Sequence, residues 1–274
     1  MVGRRFQQVD VFSDEPGRGN PVAVVLDGEG LPDEAMLQFA NWTNLSETTF
    51  VLPPTTDAAD YRVRIFTPTR ELPFAGHPTL GTCHAWLAAT GSSASAVVQE
   101  CAAGLIPVTR QDGRLAFAAP PLLRSGPVDE ATIGLVASQL GVARDDILAA
   151  EWVDNGPGWL AVLLPSVEAV LAVQPAPTDL DIGVVGLYPP GSPVAVEVRA
   201  FFPKDGVTAE DPVTGSLNAS LAQWLLESGR LTAPYVAAQG TALGRAGRVH
   251  VSTDATTIWI GGATTTLISG TADL

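Results

Sequence analysis

Three ionisable residues stand where they could move protons. Glu47 lies in "NLSETTFVL", His77 in "FAGHPTLGTCHAWLA" and Asp211 in "TAEDPVTGSLNASLA". An imidazole and a carboxylate sharing a cleft can exchange protons near neutrality. A carboxylate in apolar surroundings titrates upward toward that range, which suits general acid–base work. Glu47 shares strand parity with Leu45 and Val51, which aims it at the apolar side. An exposed glutamate at a strand start would read the same way locally, so both readings stand.

The segments carrying His77 and Asp211 resemble each other. In register, Pro78 meets Pro212, Gly81 meets Gly215, Thr82 meets Ser216 and Ala85 meets Ala219. The slot before the proline holds His77 in one copy and Asp211 in the other. Proline suits the first turn of a helix, where its missing N–H has no partner to lose. Asp211 then sits where a helix N-cap belongs. Gly81 and Gly215 would let backbone approach a ligand closely, and paired helix N-termini would make a socket for a carboxylate. Two ordinary capped helices would use most of the same residues, but histidine is a poor cap.

The elements that must position these residues also recur. "VRIFTP" at 63–68 matches "VRAFFP" at 198–203 in a register one residue different from that of the loops. A strand, a proline turn and a helix start in the same order twice point to a duplicated α+β half, with the two halves meeting so that His77 approaches Asp211. Strands are expected in "FQQVDVF", "NPVAVVL", "LSETTFVLPP", "DYRVRIFTP", "GPGWLAVLLP", "PVAVEVRAFFP", "RVHVS", "TIWIGG" and "TTLISG". Helices are expected in "LPDEAMLQFANW", from "GHP" to near Gly91, in "ATIGLVASQLGV", and after "EDPVTGS". The halves are placed at 1–122 and 123–274, with the last strands able to return to the first half. The proline-rich stretch at 120–131 serves as linker.

The 274 residues suffice for a sizeable core, and 46% hydrophobic against 16% charged residues argues for a packed globular protein. A net charge of −14 repels phosphate backbones, which argues against nucleic-acid binding. No apolar run reaches membrane-spanning length, "MVGRRFQQVDVF" has no apolar segment behind its arginine pair and is not expected to act as a secretory signal, and two cysteines make a disulfide framework improbable. A cytoplasmic location is the simplest expectation. Cys83 falls within the second helix and reads as core. His84 follows His77 by seven residues, but no third ligand has metal-site spacing, so no metal is expected. "GRGNP" lacks the glycine spacing of a dinucleotide loop.

Together, "VDVFSDEPGRGNPVAVVL", "NLSETTFVLPP", "RIFTPTRELPFAGHPTLGTCHAWL" and "EDPVTGSLNASLAQWL" resemble the phenazine-biosynthesis isomerase (PhzF-like) family, over nearly the whole chain. The resemblance implies a diaminopimelate epimerase-like fold: two pseudo-symmetric α+β halves, each a curved, mostly antiparallel sheet around a central helix, with the active site between them. It implies a cofactor-independent isomerase that moves a proton between ring carbons of a dihydro-hydroxyanthranilate, a small carboxylate-bearing substrate. Glu47 would be the acid–base residue, supported by His77 and Asp211. Ser46, Gly76, Gly215 and Ser216 would hold the substrate. A homodimer is implied as well. Epimerases of this fold carry a thiol at each helix start, and His77 and Asp211 replace both here. Epimerisation or elimination on another amino-acid-like substrate, or ligand binding without catalysis, are the other classes the sequence leaves open.

Overall fold

Two helices are buried on nearly every side, and the remaining elements are arranged around them. The structure, a computed structural model, describes residues 3–204 and 206–274. It is an α+β protein of two compact units, one running to Ala118 and resumed by Gly261–Leu274, the other spanning Ala119–Ile260.

The first unit contains β1 (Gly3–Val11), β2 (Asn20–Val25), α1 (Asp33–Thr43), β3 (Glu47–Leu52), β4 (Tyr61–Phe66), β5 (Glu71–Leu72), α2 (Gly76–Thr90), β6 (Ala96–Cys101), β7 (Gly104–Gln111) and β8 (Arg114–Ala118). The second contains β9 (Arg124–Pro127), α3 (Glu130–Leu140), β10 (Ala149–Asp154), β11 (Leu160–Leu163), α4 (Val167–Ala172), β12 (Ile182–Leu187), β13 (Val196–Lys204), β14 (Val207–Asp211), α5 (Gly215–Glu227), β15 (Tyr235–Gln239) and β16 (Gly247–Thr253). β17 (Ile258–Gly262) ends at the return to the first unit, and β18 (Thr264–Asp273) closes the chain there.

The two units share one pairing scheme. In the first, β18 pairs antiparallel with β1, β1 antiparallel with β2, and β2 parallel with β3. β3 and β5 both pair antiparallel with β4, which also runs parallel to β6, itself antiparallel to β7. The second repeats this step for step, with β9, β10, β11, β12, β13, β14, β15 and β16 in the corresponding places. α1 and α4 occupy the same link, and so do α2 and α5, whereas α3 is an addition to the second unit. A strand pattern mixing parallel and antiparallel steps in one order twice follows most simply from duplication.

The central helices have apolar or small residues all round, the pattern of a helix enclosed by its own sheet. α2 buries His77, Leu80, Thr82, Cys83, Ala85 and Leu87, and α5 buries Leu217, Asn218, Ala219, Leu221, Ala222 and Leu225. Cys83 is fully buried, and burial pushes its thiol up to about 12, against a weaker pull from its hydrogen bond with Tyr61. It packs as core. By contrast α1 buries Met36 and Ala40 toward β3 and ends at Asn44 in the left-handed conformation.

Three expectations change. The proline-rich stretch at 120–131 is not an unstructured linker, since β9 forms within it and pairs with β10. Asp211 does not cap a helix: it ends β14, opposite Ala200, and Thr214 is the residue ahead of α5. The cause is the length of β14, five residues against two for β5, which delays the second helix so that His77 is helical and Asp211 is not. Gly81, finally, does not face a ligand.

A Cβ on Gly81 would lie 2.3 Å from Val22 Cγ1 and 3.1 Å from Val11 Cγ2, so this glycine sets how closely α2 presses on the sheet. The second unit reaches the same closeness from the opposite side, because Gly183 of β12 makes room for the Leu217 side chain of α5. Gly81→Ala gains helix propensity but overpacks a rigid, β-branched neighbour. It is expected to destabilise the protein by about 1–3 kcal/mol, read as a lowered thermal midpoint that Val22→Ala partly restores.

Candidate active site

Glu47 is the first residue of β3, paired with Val22 of the parallel neighbour β2. His77 is the second residue of α2, ahead of Pro78, which occupies the helical turn where its missing N–H costs nothing. Because Gly81 lets α2 press on Val22, the first turn of the helix comes within reach of the start of β3. His77 Nε2 and Glu47 Oε2 are 3.3 Å apart, with side chains only 5% and 15% exposed. A second tie fixes the helix against the strand: Thr82 Oγ1 donates to Thr49 Oγ1 at 2.8 Å, both fully buried.

The electrostatics of the pair follow from burial. Desolvation drives the His77 ring down to about 3, and the neighbouring Pro21 carbonyl, which favours the charged ring, offsets only part of this. The imidazole is therefore neutral at physiological pH, and its 3.3 Å contact with Glu47 is not an ion pair. On the ring's other side, Asn20 Nδ2 lies 3.3 Å from His77 Nδ1. The ring thus lies between the Asn20 amide, the Pro21 carbonyl and the Glu47 carboxyl group. Asn20 was not among the sequence candidates. It is fully buried, and it is delivered by a turn that folds on Asp10, whose carboxylate accepts from the Gly17 and Gly19 amides at 2.8 to 3.1 Å.

In the second unit Asp211 and Ser216 flank the start of α5. The Asp211 carboxylate accepts from the Thr214 hydroxyl at 2.5 Å. Gln239 of β15 organises this corner: its Oε1 accepts from the Thr214 amide and from Asn218 Nδ2, while its Nε2 donates to the Asp211 carbonyl at 3.1 Å. Gly215 opens the helix, and Ser216 follows it with its hydroxyl accepting from the Trp159 indole at 3.2 Å. Of the remaining candidates, Gly76 is the buried first residue of α2, and Ser46 is half-buried immediately before Glu47. The structure thus joins Glu47 to His77 and keeps Ser46 and Gly76 beside them, and it gathers Asp211, Gly215 and Ser216 around one helix start.

His84 belongs to neither group. Its Nδ1 meets Thr264 Oγ1 at 2.9 Å and its Nε2 meets Thr266 Oγ1 at 3.0 Å, which anchors α2 to β18. Among the described residues, no cluster of histidine, cysteine, aspartate or glutamate is disposed to hold a metal ion. Among them, too, no helix is long and apolar enough to cross a membrane.

Comparison with known proteins adds to this geometry. The phenazine biosynthesis-like protein family (PhzC-PhzF) matches residues 9–272. Antisense-enhancing sequence 1 of Schizosaccharomyces pombe is 36% identical, over 98% of this chain and 99% of its own length. The trans-2,3-dihydro-3-hydroxyanthranilate isomerase of Pseudomonas aeruginosa is 37% identical, over 90% of this chain and 89% of its own. Among solved structures, the PhzF-family phenazine biosynthesis protein of Bacillus anthracis superposes with a TM-score of 0.84 and 100% coverage of both chains, at 23% identity.

The depressed His77 ring has a consequence for stability. Between its ordinary 6.5 and its folded value of about 3, the unfolded chain binds a proton that the native ring refuses. Stability therefore falls as pH drops through that window. Urea titrations from pH 7 to pH 4 should show this loss, and it should be shallower in His77→Asn than in the wild type. An identical slope in both would mean that other groups dominate.

Proposed function

The chain belongs to the phenazine biosynthesis-like (PhzC-PhzF) family, and on that premise we propose that it is a cofactor-independent isomerase. It shifts a proton by acid–base catalysis on a small carboxylate-bearing metabolite, with trans-2,3-dihydro-3-hydroxyanthranilate as the leading substrate. The observation that carries this reading is the buried contact of Glu47 with a neutral His77. A shift of hydrogen between carbons needs one group that accepts a proton and then releases it at a neighbouring atom. A carboxylate beside a neutral imidazole in a low-dielectric site suits that task.

In this mechanism Glu47 takes the proton from one ring carbon and returns it to another. His77, packed against the Glu47 carboxyl group, supports the transfer as a polar partner. Asp211 supports the proton transfer as a second polar partner. Ser216 and the amides near Gly76 and Gly215 bind the substrate carboxylate, with Ser46 adding a polar contact. The enol so formed then relaxes to the ketone. The same family membership supports a homodimer working in the cytoplasm.

The test is incubation with trans-2,3-dihydro-3-hydroxyanthranilate in deuterated water, followed by NMR of the ring protons. Isomerisation with deuterium incorporation is expected, falling by roughly 10²- to 10⁴-fold in Glu47→Gln and less steeply in His77→Asn. Turnover undiminished in Glu47→Gln would overturn the assignment of the base. Deuterium appearing with inversion at a stereocentre would redirect the reading to an epimerase, and loss of a leaving group would redirect it to a lyase.

A further inference from the structure

We propose that Trp159 is a positioning residue that makes Ser216 a hydrogen-bond donor, and so sets the site's preference for a ligand group that can only accept, a carboxylate. This inference rests on the substrate-binding role given to Ser216 above. It starts from a device that both units share. At the end of β1, Asp10 gathers the amides of Gly17 and Gly19, and the turn so folded presents the Asn20 amide to His77. At the end of β10, Asp154 gathers the amides of Gly156 and Gly158 at 2.6 and 2.7 Å, and the turn presents the Trp159 indole to Ser216. In each unit a carboxylate-pinned glycine turn ahead of the second strand thus brings one N–H to a side chain in the first turn of the central helix.

The chemistry of that N–H decides what Ser216 does. An indole nitrogen donates and never accepts, whereas a hydroxyl can do either. With Trp159 Nε1 at 3.2 Å occupying a lone pair of Ser216 Oγ, the serine proton turns away from the indole. Among the described residues no acceptor takes that proton. The backbone of Ser216 is also held, because its carbonyl accepts from Asn155 Nδ2 at 2.9 Å and from the Ser220 hydroxyl at 3.2 Å. Trp159 is only 4% exposed, so its ring is clamped by packing and the indole proton has little freedom to point elsewhere. A ligand meeting Ser216 therefore encounters a polarised O–H, which the charged oxygen of a carboxylate satisfies more strongly than the neutral carbonyl of a carboxamide.

The experiment compares two stable aromatic probes, 3-hydroxyanthranilate and its carboxamide, by isothermal titration against wild type, Trp159→Phe, Ser216→Ala and the double variant. The wild type is expected to favour the carboxylate by tenfold or more. Trp159→Phe keeps an aromatic ring but removes the donor. It should weaken carboxylate binding roughly five- to tenfold, weaken the carboxamide distinctly less, and add little to the loss already present in Ser216→Ala. Equal weakening of both probes, or none, would overturn the proposal, since lost packing would not discriminate between them. A second readout needs no ligand. Ser216→Ala must shift the Trp159 indole proton in an ¹H–¹⁵N spectrum, and an unmoved resonance also overturns the proposal. If the wild type binds neither probe while the resonance does move, the substrate class fails and the orienting role of Trp159 stands.

Discussion

An imidazole that cannot keep its proton is the constraint on which the first unit is built. Buried beside Glu47, the ring of His77 holds its neutral form far below neutral pH. The pair therefore avoids the desolvation cost of two enclosed opposite charges, a cost that ion pairing often fails to recover. What it must meet instead is placement, because the ring has to be held against one carboxyl group. Asn20 meets the ring at Nδ1, Thr82 and Thr49 lock helix to strand, and Gly81 sets the separation. Each of these residues would be unremarkable in isolation, and each answers the same geometric demand.

The second unit shows what duplication leaves and what it changes. β12 begins at Ile182, opposite Leu160, in the parallel pairing that begins at Glu47, opposite Val22, in β3. The position of a carboxylate in one unit is thus a fully buried isoleucine in the other. The helix starts diverge too: a longer β14 moves Asp211 out of the helix and leaves Thr214, Gly215 and Ser216 at its opening. One frame therefore carries two different assortments of polar groups, a base with its imidazole in the first and a donor-rich helix start in the second.

Much of this was legible in the sequence. The strand-turn-helix repeat marked the duplication, since strand parity and proline position depend on local residues alone. Glu47, His77 and Ser216 lay in motifs distinct enough to single out. The N-cap role of Asp211 failed because helix onset depended on how far β14 stays paired with β13, a contact between segments that residue types do not report. Gly81 failed for a related reason, since a glycine that admits a ligand and one that admits Val22 look identical in sequence. Asn20 and Trp159 were missed altogether, although a signal existed: "DVFSDEPGRGN" and "DNGPGW" each place an aspartate ahead of two spaced glycines and a donor side chain. Their meaning appears only when the turns are seen folding onto Asp10 and Asp154.

The route of the chain has a further consequence, for biosynthesis. The outer partner of β10 is β9, which lies a short way upstream, so the pairings from β9 to β16 all fall within one continuous stretch. The outer partner of β1 is β18, which follows the whole second unit along the chain. On the ribosome, then, the later-encoded unit can close its sheet while the earlier-encoded one still waits, its first strand an open edge until β18 emerges. That inverts the usual order of vectorial folding, in which the N-terminal unit forms first. It also leaves β1 as the stretch most in need of chaperone cover in the nascent chain.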